Sequence, residues 1–419
     1  MMQKYYDAVV IGAGCAGLAA AVALKKNGIK DVVVLEKDEE IGGILNQCIH
    51  NGFGLTSFHT QMSGPAFAQR YYEQAVSQGV IFHTGVMVTG IFPDKTVVCS
   101  SMQEGVVTLQ AGVIILAVGC YERTSGAIAI PGERPAGVYT AGQAQKYLNM
   151  DGMMVGNRVF ILGSGDIGLI MARRMTLEGA QVLGVAEVMP YSNGLPRNIQ
   201  QCLVDFDIPL YLSHTVTAIH GKTRLTGIDL SQVDENRNPI AGTQRYIECD
   251  TLLLSVGLIP ENHLGDACGI PMDQAIKGPR VDESYMSEIS GIFACGNGLH
   301  VHDLADYAAH QGTLAGNGAA AYLKCGENTS KKIPTVAGNQ VGYVVPAFVH
   351  TLDLPKTVEL YFRVRKPMEH VEIVIRSGDT VIRRMEKQQV IPSEMEMVIL
   401  SGKMLEGLQN DLVVEVNAL

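Results

Sequence analysis

A glycine-rich fingerprint occurs twice in this chain, each time directly after a run of apolar residues. The first copy spans residues 12–17 (GAGCAG) and the second spans residues 163–168 (GSGDIG). The next apolar run of each copy closes with an acid, Glu36 or Glu187, so the spacing from first glycine to acid is identical. A glycine turn between a strand and a helix, with an acid ending the following strand, is typical of a dinucleotide-binding βαβ unit. The sequence therefore predicts two such units within an α/β fold.

Each residue type in the fingerprint has a physical role. The first glycine permits a tight turn, the second lets the backbone approach a pyrophosphate, and the third lets helix and strand pack closely. The helix N-terminus offers free N–H groups and a partial positive charge to the phosphates, and the acid accepts hydrogen bonds from ribose hydroxyls. Glycines that serve only packing are the alternative interpretation of either copy. Two nucleotide sites in one chain favour two cofactors with electron transfer between them.

Composition and charge narrow the class of protein. The 419 residues, 47% of them hydrophobic, suffice for two or three domains. The net charge of −10 argues against nucleic acid or an anionic membrane as a partner. Nine scattered cysteines without a C-x-x-C pair favour a reducing cytoplasm and indicate no zinc or iron–sulfur site. A first strand from about residue 6 leaves no room for a signal peptide, and no apolar run is long enough to span a bilayer. We therefore expect a cytoplasmic protein without metal and without direct membrane insertion.

Changes in patterning along the chain predict three domains. Residues 1–120 and 251–328 are assigned to the domain of the first fingerprint, and residues 121–250 to the domain of the second. An alanine-rich segment from 303 to 323 is predicted to be a helix. Apolar and polar residues alternate within 329–419, which predicts a small C-terminal antiparallel β domain. No titratable cluster stands out in that last domain.

The order of these motifs resembles the two-dinucleotide-binding flavoproteins, the class that includes glutathione reductase, thioredoxin reductase and NADH oxidases. Residues 115–119 and 254–257 resemble the two strand–glycine motifs of that class. Residues 291–297 resemble its late FAD motif, although Asn297 stands where aspartate is usual. The resemblance covers roughly residues 6 to 327. It implies two Rossmann-like domains, with the NAD domain inserted into the FAD domain.

A narrower resemblance is to the FAD/NAD subunits of opine oxidase, hydrogen cyanide synthase and heteromeric sarcosine oxidase. It is carried by residues 122–124, 129–138 and 140–145. Residues 42–50 and 295–304 resemble a bacterial subgroup. Its members accompany a flavoprotein similar to glycerol-3-phosphate dehydrogenase and a small cysteine-rich protein. The resemblance implies an oligomeric assembly in which this chain exchanges electrons with a partner's redox centre.

The resemblance also assigns the cofactor-binding residues. For FAD they are Gly12, Gly14, Cys15, Ala16, Gly17, Glu36, Lys37, Gly43, Val88, Ala117, Gly119, Gly296, Asn297, Asp306 and Tyr307. For NAD they are Gly163, Gly165, Asp166, Ile167, Glu187 and Gly257. An acid at Glu187 repels a 2′-phosphate and favours NAD(H) over NADP(H), although Arg197 lies nearby in sequence.

The predicted helix from residue 303 is implied to aim its N-terminus at flavin N1 and C2=O, with Ala305, Asp306 and Tyr307 nearest. An aspartate so close would oppose an anionic reduced flavin. Asp306 is therefore expected to turn toward a partner or toward solvent.

Four side chains are candidate catalytic groups: Cys48, His50, His302 and Asp303. Cys48 follows Gly42-Gly43, where disulfide reductases of this class carry redox cysteines. A lone thiol there could form a sulfenate or a mixed disulfide, and the alternative is a buried packing residue. His50, His300 and His302, with Asp303, are candidate proton donors. Their alternatives are ordering of loops, contact with a partner, or metal binding.

The function implied is hydride transfer from the nicotinamide C4 to flavin N5. The leading hypothesis is one subunit of a heteromeric dehydrogenase that moves electrons between NAD(H) and a partner. One rival is a self-contained reductase of thiols, peroxide or oxygen that uses Cys48. The other rival is a non-catalytic scaffold subunit whose nucleotide sites only stabilise an assembly.

Overall fold

The apolar run before the first fingerprint forms an inner strand of a mostly parallel sheet in the computed structural model, which describes residue 2 and residues 4–419. The elements of this part are β1 (Tyr5–Ile11), α1 (Cys15–Lys26), β2 (Val32–Leu35), β3 (Asn51–Phe53), α2 (Leu55–Phe58), β4 (Met62–Ser63), α3 (Gly64–Ser77), β5 (Ile81–His83), β6 (Val86–Ile91), β7 (Thr96–Ser101) and β8 (Gly105–Leu116). β1 lies between β2 and β8 and runs parallel to both. The apolar run 8–11 at its C-terminal end is fully buried, which fits a strand covered on both faces.

The second fingerprint lies in a separate, fully parallel sheet. The elements of this part are β9 (Cys120–Glu122), β10 (Val138–Thr140), α4 (Ala141–Asn149), β11 (Arg158–Leu162), α5 (Asp166–Leu177), β12 (Gln181–Glu187), α6 (Pro196–Cys202), β13 (Leu210–Leu212), β14 (His214–His220), β15 (Gly227–Gln232), β16 (Arg245–Ile247), β17 (Thr251–Leu254) and β18 (Leu258–Pro260). The sheet has the order β10-β17-β11-β12-β13, and β14 to β16 form a small antiparallel sheet.

The position of β17 corrects the predicted boundary at residue 250. This strand lies between β10 and β11 of the second sheet, and the second compact unit is Tyr121–Ile259. The first unit comprises the chain up to Cys120 together with Pro260–Leu419. A short apolar run such as 251–254 suits any buried parallel strand, so its pattern does not reveal which sheet receives it.

The chain returns to the first unit with α7 (His263–Ala267), β19 (Ile292–Ala294) and α8 (Ala305–Cys325). β19 pairs in parallel with the end of β8. α8 starts two residues after the predicted start at 303, and it packs closely on α1. A Cβ at Gly312 would overlap the carbonyl oxygen of Ala16, and a Cβ at Gly316 would lie 2.5 Å from the carbonyl oxygen of Ala20. The two helices therefore meet backbone to backbone.

The C-terminal strands form two sheets around their own apolar core, which includes Leu360, Phe362 and Val414. The strands are β20 (Lys332–Ala337), β21 (Val341–Val345), β22 (Phe348–His350), β23 (Thr357–Val364), β24 (Met368–Ser377), β25 (Thr380–Val390), β26 (Glu396–Ser401) and β27 (Leu412–Ala418). We refer to β20–β27 as the C-terminal β domain. Pairing within it is antiparallel except between β20 and β27, which run parallel, a detail that alternation does not reveal. None of the described helices is long and apolar enough to cross a membrane.

Candidate functional site

The first fingerprint forms an open turn at the N-terminus of α1. Gly12 has φ +102°, and a Cβ there would overlap the carbonyl oxygen of Ala117 at the end of β8. A Cβ at Gly17 would overlap the carbonyl oxygen of Gly12, so the helix sits directly on the turn. A Cβ at Gly14 would meet no protein atom within 4 Å, and no side chain caps the helix there. The turn therefore leaves room and backbone N–H donors for a pyrophosphate.

Glu36 closes β2 and holds the same turn from the other side. One of its carboxylate oxygens accepts the N–H of Ala13 at 2.7 Å, and the other accepts the N–H of Asp38 at 3.0 Å. The side chain is only 6% exposed, and each oxygen keeps lone pairs beyond those two bonds. These remaining lone pairs are the acceptors that the hydroxyls of an adenosine ribose require, and the fit to a dinucleotide is good.

The late glycine motif lies against the first fingerprint. Gly296 has φ +67°, and a Cβ there would lie 2.7 Å from the Cβ of Ala16. Gly43 approaches from the 42–43 turn, where a Cβ would lie 3.5 Å from the Cα of Gly14. The structure thus brings three predicted segments together around one space.

The second fingerprint has the same backbone but different surroundings. Gly163 has φ +97°, and a Cβ there would overlap the carbonyl oxygen of Ser255 after β17. Its second glycine is more enclosed, because a Cβ at Gly165 would lie 3.1 Å from the Ser255 hydroxyl. Asp166 stands in the first turn of α5, and its carboxylate accepts the N–H of Leu195 at 2.9 Å. This turn also fits a pyrophosphate, but the side chains of Ser255 and Asp166 already lie at its edge.

Glu187 repeats the geometry of Glu36 and adds one contact. Its carboxylate accepts the N–H of Ser164 at 3.0 Å and the N–H of Met189 at 3.0 Å. It also accepts the hydroxyl of Ser164 at 2.7 Å, and that hydroxyl accepts the N–H of Asn193 at 2.9 Å. The second acid is therefore tied to the loop that follows β12.

Cys48 is buried behind the 42–43 turn. It is 6% exposed, and its thiol donates to the carbonyl oxygen of Ile44 at 3.3 Å. Burial, with a smaller contribution from Cys15, raises the pKa of Cys48 to about 12. Burial likewise raises the pKa of Cys15 to about 12. Since the thiolate is the nucleophile, both side chains are unreactive at neutral pH in this arrangement.

The predicted cluster of histidines and Asp303 divides between two environments. His50 is half-buried, with its ring centroid 5.2 Å from that of Phe53. His300 and His302 are buried together, with ring centroids 4.4 Å apart. Burial lowers the pKa of His302 to about 4 and holds the pKa of His300 well below its ordinary value. Both imidazoles are therefore neutral at pH 7.

Asp303 is held by the C-terminal β domain. Its carboxylate pairs with Arg363 of β23 and accepts the N–H of Met395 at 2.6 Å. A carboxylate bound in this way orders the loop between β19 and α8. This contact favours an ordering role over proton donation.

Asp306 turns inward, which corrects the expectation that it faces a partner or solvent. It is 3% exposed, and its carboxylate accepts three N–H groups, those of Gly54, Thr56 and Ser57 at 2.8 to 3.1 Å. Three N–H donors at the start of a short helix offset the buried charge. The sequence could not show this, because the donors lie about 250 residues away.

The remaining predicted residues differ in their burial and in their contacts. Asn297 is half-buried, and its side-chain oxygen accepts the N–H of His302 at 3.0 Å. Val88 lies in β6 within the apolar core. Among the others, Lys37 and Gly257 are exposed, and Tyr307 and Ile167 are half-buried at the starts of their helices. Sequence reasoning gave no role to Ser164 and Ser255, although both lie within the quoted motifs, and it missed Gln311, for which no local pattern gives a signal.

Comparison with known proteins identifies the family. A family model described as pyridine nucleotide-disulphide oxidoreductase matches residues 6–312. A component of opine oxidase from Agrobacterium tumefaciens is 25% identical over 77% of this chain and 67% of its own length. Hydrogen cyanide synthase subunit HcnB of Pseudomonas aeruginosa is 22% identical over 73% of this chain and 67% of its own length.

Solved structures show the same fold. The thioredoxin reductase of T. acidophilum has a TM-score of 0.63 and is 23% identical. The match covers 76% of this chain and 99% of that structure. This likeness shows that the fold is shared.

Proposed function

The chain belongs to the pyridine nucleotide-disulphide oxidoreductase family, and from this premise we propose that it is the FAD- and NAD-binding subunit of a heteromeric dehydrogenase. The family binds FAD and NAD(P)H, and the chain is an FAD-dependent NAD(P)H oxidoreductase. Two relatives, from opine oxidase and from hydrogen cyanide synthase, are by name subunits of larger enzymes. The partner proposed is a second flavoprotein dehydrogenase, accompanied by a small cysteine-rich protein.

The buried state of Cys48 is the observation that supports a partner as the electron acceptor or donor. All nine cysteines are thiols, and Cys48 is protonated at neutral pH because its pKa is raised to about 12. A self-contained thiol reductase needs a reactive thiolate close to the flavin. Electrons that enter this chain therefore leave by another route, and transfer to a second protein supplies one.

Each fingerprint is proposed to hold one cofactor. FAD, when bound, supplies the hydride chemistry of the reaction. The chain's own contribution at the first site is the uncapped N-terminus of α1, which binds phosphate, and Glu36, which orients the ribose. At the second site Gly165 and the start of α5 have the same role toward the nicotinamide nucleotide. His300 and His302 are buried and neutral in the loop after β19.

Glu187 favours NAD(H) over NADP(H). The carboxylate is 4% exposed and is fixed by two backbone N–H groups and one hydroxyl. A fixed carboxylate accepts hydrogen bonds from a free ribose and repels a 2′-phosphate. Arg197 was noted in the sequence because a nearby arginine leaves room for a 2′-phosphate. It lies in α6, next to the segment that Asp166 binds through Leu195.

The test is an anaerobic titration of the FAD-containing protein with NADH and, separately, with NADPH, following the band of oxidised flavin. We expect bleaching by NADH at concentrations at which NADPH has no effect. Bleaching by neither nucleotide would contradict NAD(H) oxidation by this chain and favour the scaffold alternative. Cys48→Ser is the matched variant: NADH should bleach its flavin as it does in the wild type, and loss of disulfide or peroxide reduction in it alone would favour the thiol reductase.

The partner is tested separately, after the titration. Oxygen-free protein reduced with NADH is mixed with the candidate partner flavoprotein, and reoxidation of this chain's flavin is followed. We expect reoxidation by the partner without added thiol or peroxide. Reoxidation by disulfides or peroxide alone, with no response to the partner, would overturn the proposal.

A further inference from the structure

Ser255 stands in the second unit where Ala117 stands in the first. Each residue directly follows a buried strand, β17 or β8. A Cβ at Gly163 would lie 2.1 Å from the carbonyl oxygen of Ser255. In the same way, a Cβ at Gly12 would lie 2.4 Å from the carbonyl oxygen of Ala117. The two backbone positions are therefore equivalent, and the second turn differs here by the hydroxyl of Ser255.

The hydroxyl oxygen of Ser255 is held by the start of α5. It accepts the N–H of Gly168, the third residue of that helix, at 3.1 Å. The first N–H groups of a helix have no acceptor within the helix, so this contact supplies one. Ala117 has no side-chain oxygen and cannot do the same for Gly17. One lone pair of the serine oxygen is thus used, and the contact orients the hydroxyl.

The proton of the same hydroxyl has no protein acceptor in the part of the chain that the structure describes. The N–H of Gly168 is a donor, so it takes up a lone pair and leaves the proton of Ser255 unused. Ser255 is half-buried rather than enclosed. The hydroxyl can therefore donate to a ligand without giving up its contact with the helix.

The hydroxyl borders the space that a pyrophosphate needs. The second glycine of the fingerprint lacks a side chain so that the pyrophosphate can come close to the backbone. The position of a Cβ on Gly165 therefore marks the ligand's side of the turn, and it would lie 3.1 Å from the hydroxyl oxygen of Ser255. At Gly14 a Cβ would meet no protein atom within 4 Å. The second turn thus has a hydroxyl at a place where the first turn is open.

We propose that Ser255 is a binding residue for the pyrophosphate of the nicotinamide nucleotide. The inference rests on the proposed function in assigning the second fingerprint to that nucleotide. The helix gives one N–H to the oxygen of Ser255, and Ser255 gives its O–H to a phosphate oxygen. A hydrogen bond to a charged oxygen is stronger than one between neutral groups, so its loss weakens binding by about tenfold.

The first experiment measures dissociation constants by titration calorimetry on the oxidised, FAD-containing protein, in which no hydride is transferred. The ligands are NAD⁺ and ADP-ribose, which carry a pyrophosphate, and adenosine, which does not. Ser255→Ala is compared with the wild type. Ser231→Ala is the matched control, because its hydroxyl bonds Thr217 in the small antiparallel sheet of the same unit. Alanine is the residue that the first copy carries at the equivalent place, so we expect S255A to fold.

We expect S255A to bind NAD⁺ and ADP-ribose about tenfold more weakly than the wild type, and adenosine within about twofold of it. S231A should match the wild type for all three ligands. An equal loss for adenosine would mean that Ser255 only holds the start of the helix, and unchanged binding of NAD⁺ would equally overturn the proposal. If NADH fails to reduce the wild-type flavin, the proposed function fails, yet these constants still decide the role of Ser255.

The second experiment follows the phosphates directly. Phosphorus-31 NMR of the FAD-containing protein saturated with ADP-ribose reports the surroundings of both phosphorus atoms of that ligand. We expect the signals of bound ADP-ribose to shift in S255A relative to the wild type and to stay in place in S231A. Signals that coincide in S255A and the wild type would show that the hydroxyl of Ser255 contacts no phosphate oxygen.

Discussion

The two fingerprints have one backbone geometry but present different side chains to a ligand. In both, the first glycine has a positive φ, and the closing acid accepts two loop N–H groups. In the first copy the side chains of Ala13 and Cys15 form no hydrogen bond with the acid or with a neighbouring loop. At the equivalent places in the second copy, Ser164 donates to the acid and Asp166 binds a neighbouring loop.

This difference indicates different modes of binding. The first turn leaves its N–H groups and the lone pairs of its acid for a ligand, which suits a cofactor that stays bound. In the second turn some of the polar groups already form hydrogen bonds within the protein. A nucleotide therefore gains less binding free energy there. We infer that the first copy holds FAD as a resident cofactor and the second holds NAD(H) as an exchanging substrate.

The largest expected effect comes from adding a methyl group to the first glycine of either copy. Gly12→Ala and Gly163→Ala each force a Cβ onto a carbonyl oxygen at positive φ, which costs about 3 kcal/mol or more. We expect G12A to lose FAD, and G163A to retain FAD but no longer be bleached by NADH. Flavin content after purification and an anaerobic titration measure this. Loss of FAD in G163A would mean that the copies are not independent.

The next effect concerns Glu187. Replacing it with alanine removes the fixed carboxylate, and we expect the preference for NADH over NADPH to fall by about tenfold, equivalent to about 1.4 kcal/mol. The ratio of the two kcat/KM values in dye reduction measures this. Glu36→Ala is the matched variant, and it should reduce FAD affinity without changing the ratio. An unchanged ratio in E187A would remove the assignment of the second site to NAD(H).

A smaller effect is expected from making the second copy more like the first. Ser164→Ala leaves the N–H of Asn193 without its acceptor, so we expect a loss of about 1 kcal/mol in unfolding free energy. Denaturant unfolding measures it, with Ala13→Ser as the reciprocal change in the first copy. Equal stability of S164A and the wild type would show that the hydroxyl does not hold the loop.

The smallest effect is expected at Cys48. Cys48→Ser should leave NADH-dependent dye reduction within about twofold of the wild type, because the thiol has no chemical step. Because the pKa of Cys48 is raised, we expect the rate of its alkylation to rise by about tenfold per pH unit between pH 7 and the pKa. Labelling of Cys325, which is exposed, is the control. Fast labelling of Cys48 at pH 7 would restore the thiol alternative.

The fingerprints, their acids and the late glycine motif are predictable because each is a local pattern with a local physical cause. A strand, a glycine turn and a helix lie within about 20 residues, and their geometry follows from φ and from packing. The strand beginning at Thr251 is likewise predictable as a strand, but the pattern places it in the wrong domain. Its sequence determines burial and leaves the choice of sheet open.

The environment of the candidate site is not predictable from such patterns. Asp303 binds Arg363, and Asp306 binds the start of α2, in each case across a large separation in sequence. A carboxylate at the start of a helix has the same sequence pattern whether it faces a ligand, solvent or another helix.

The division of roles between the two fingerprints is tested by the nucleotide content of the purified protein. The protein is saturated with FAD and NAD⁺ and then passed through gel filtration in nucleotide-free buffer. We predict one FAD per chain and no retained NAD⁺. Retention of both nucleotides, or loss of FAD with retention of NAD⁺, would contradict the assignment of a resident cofactor to the first fingerprint and an exchanging one to the second.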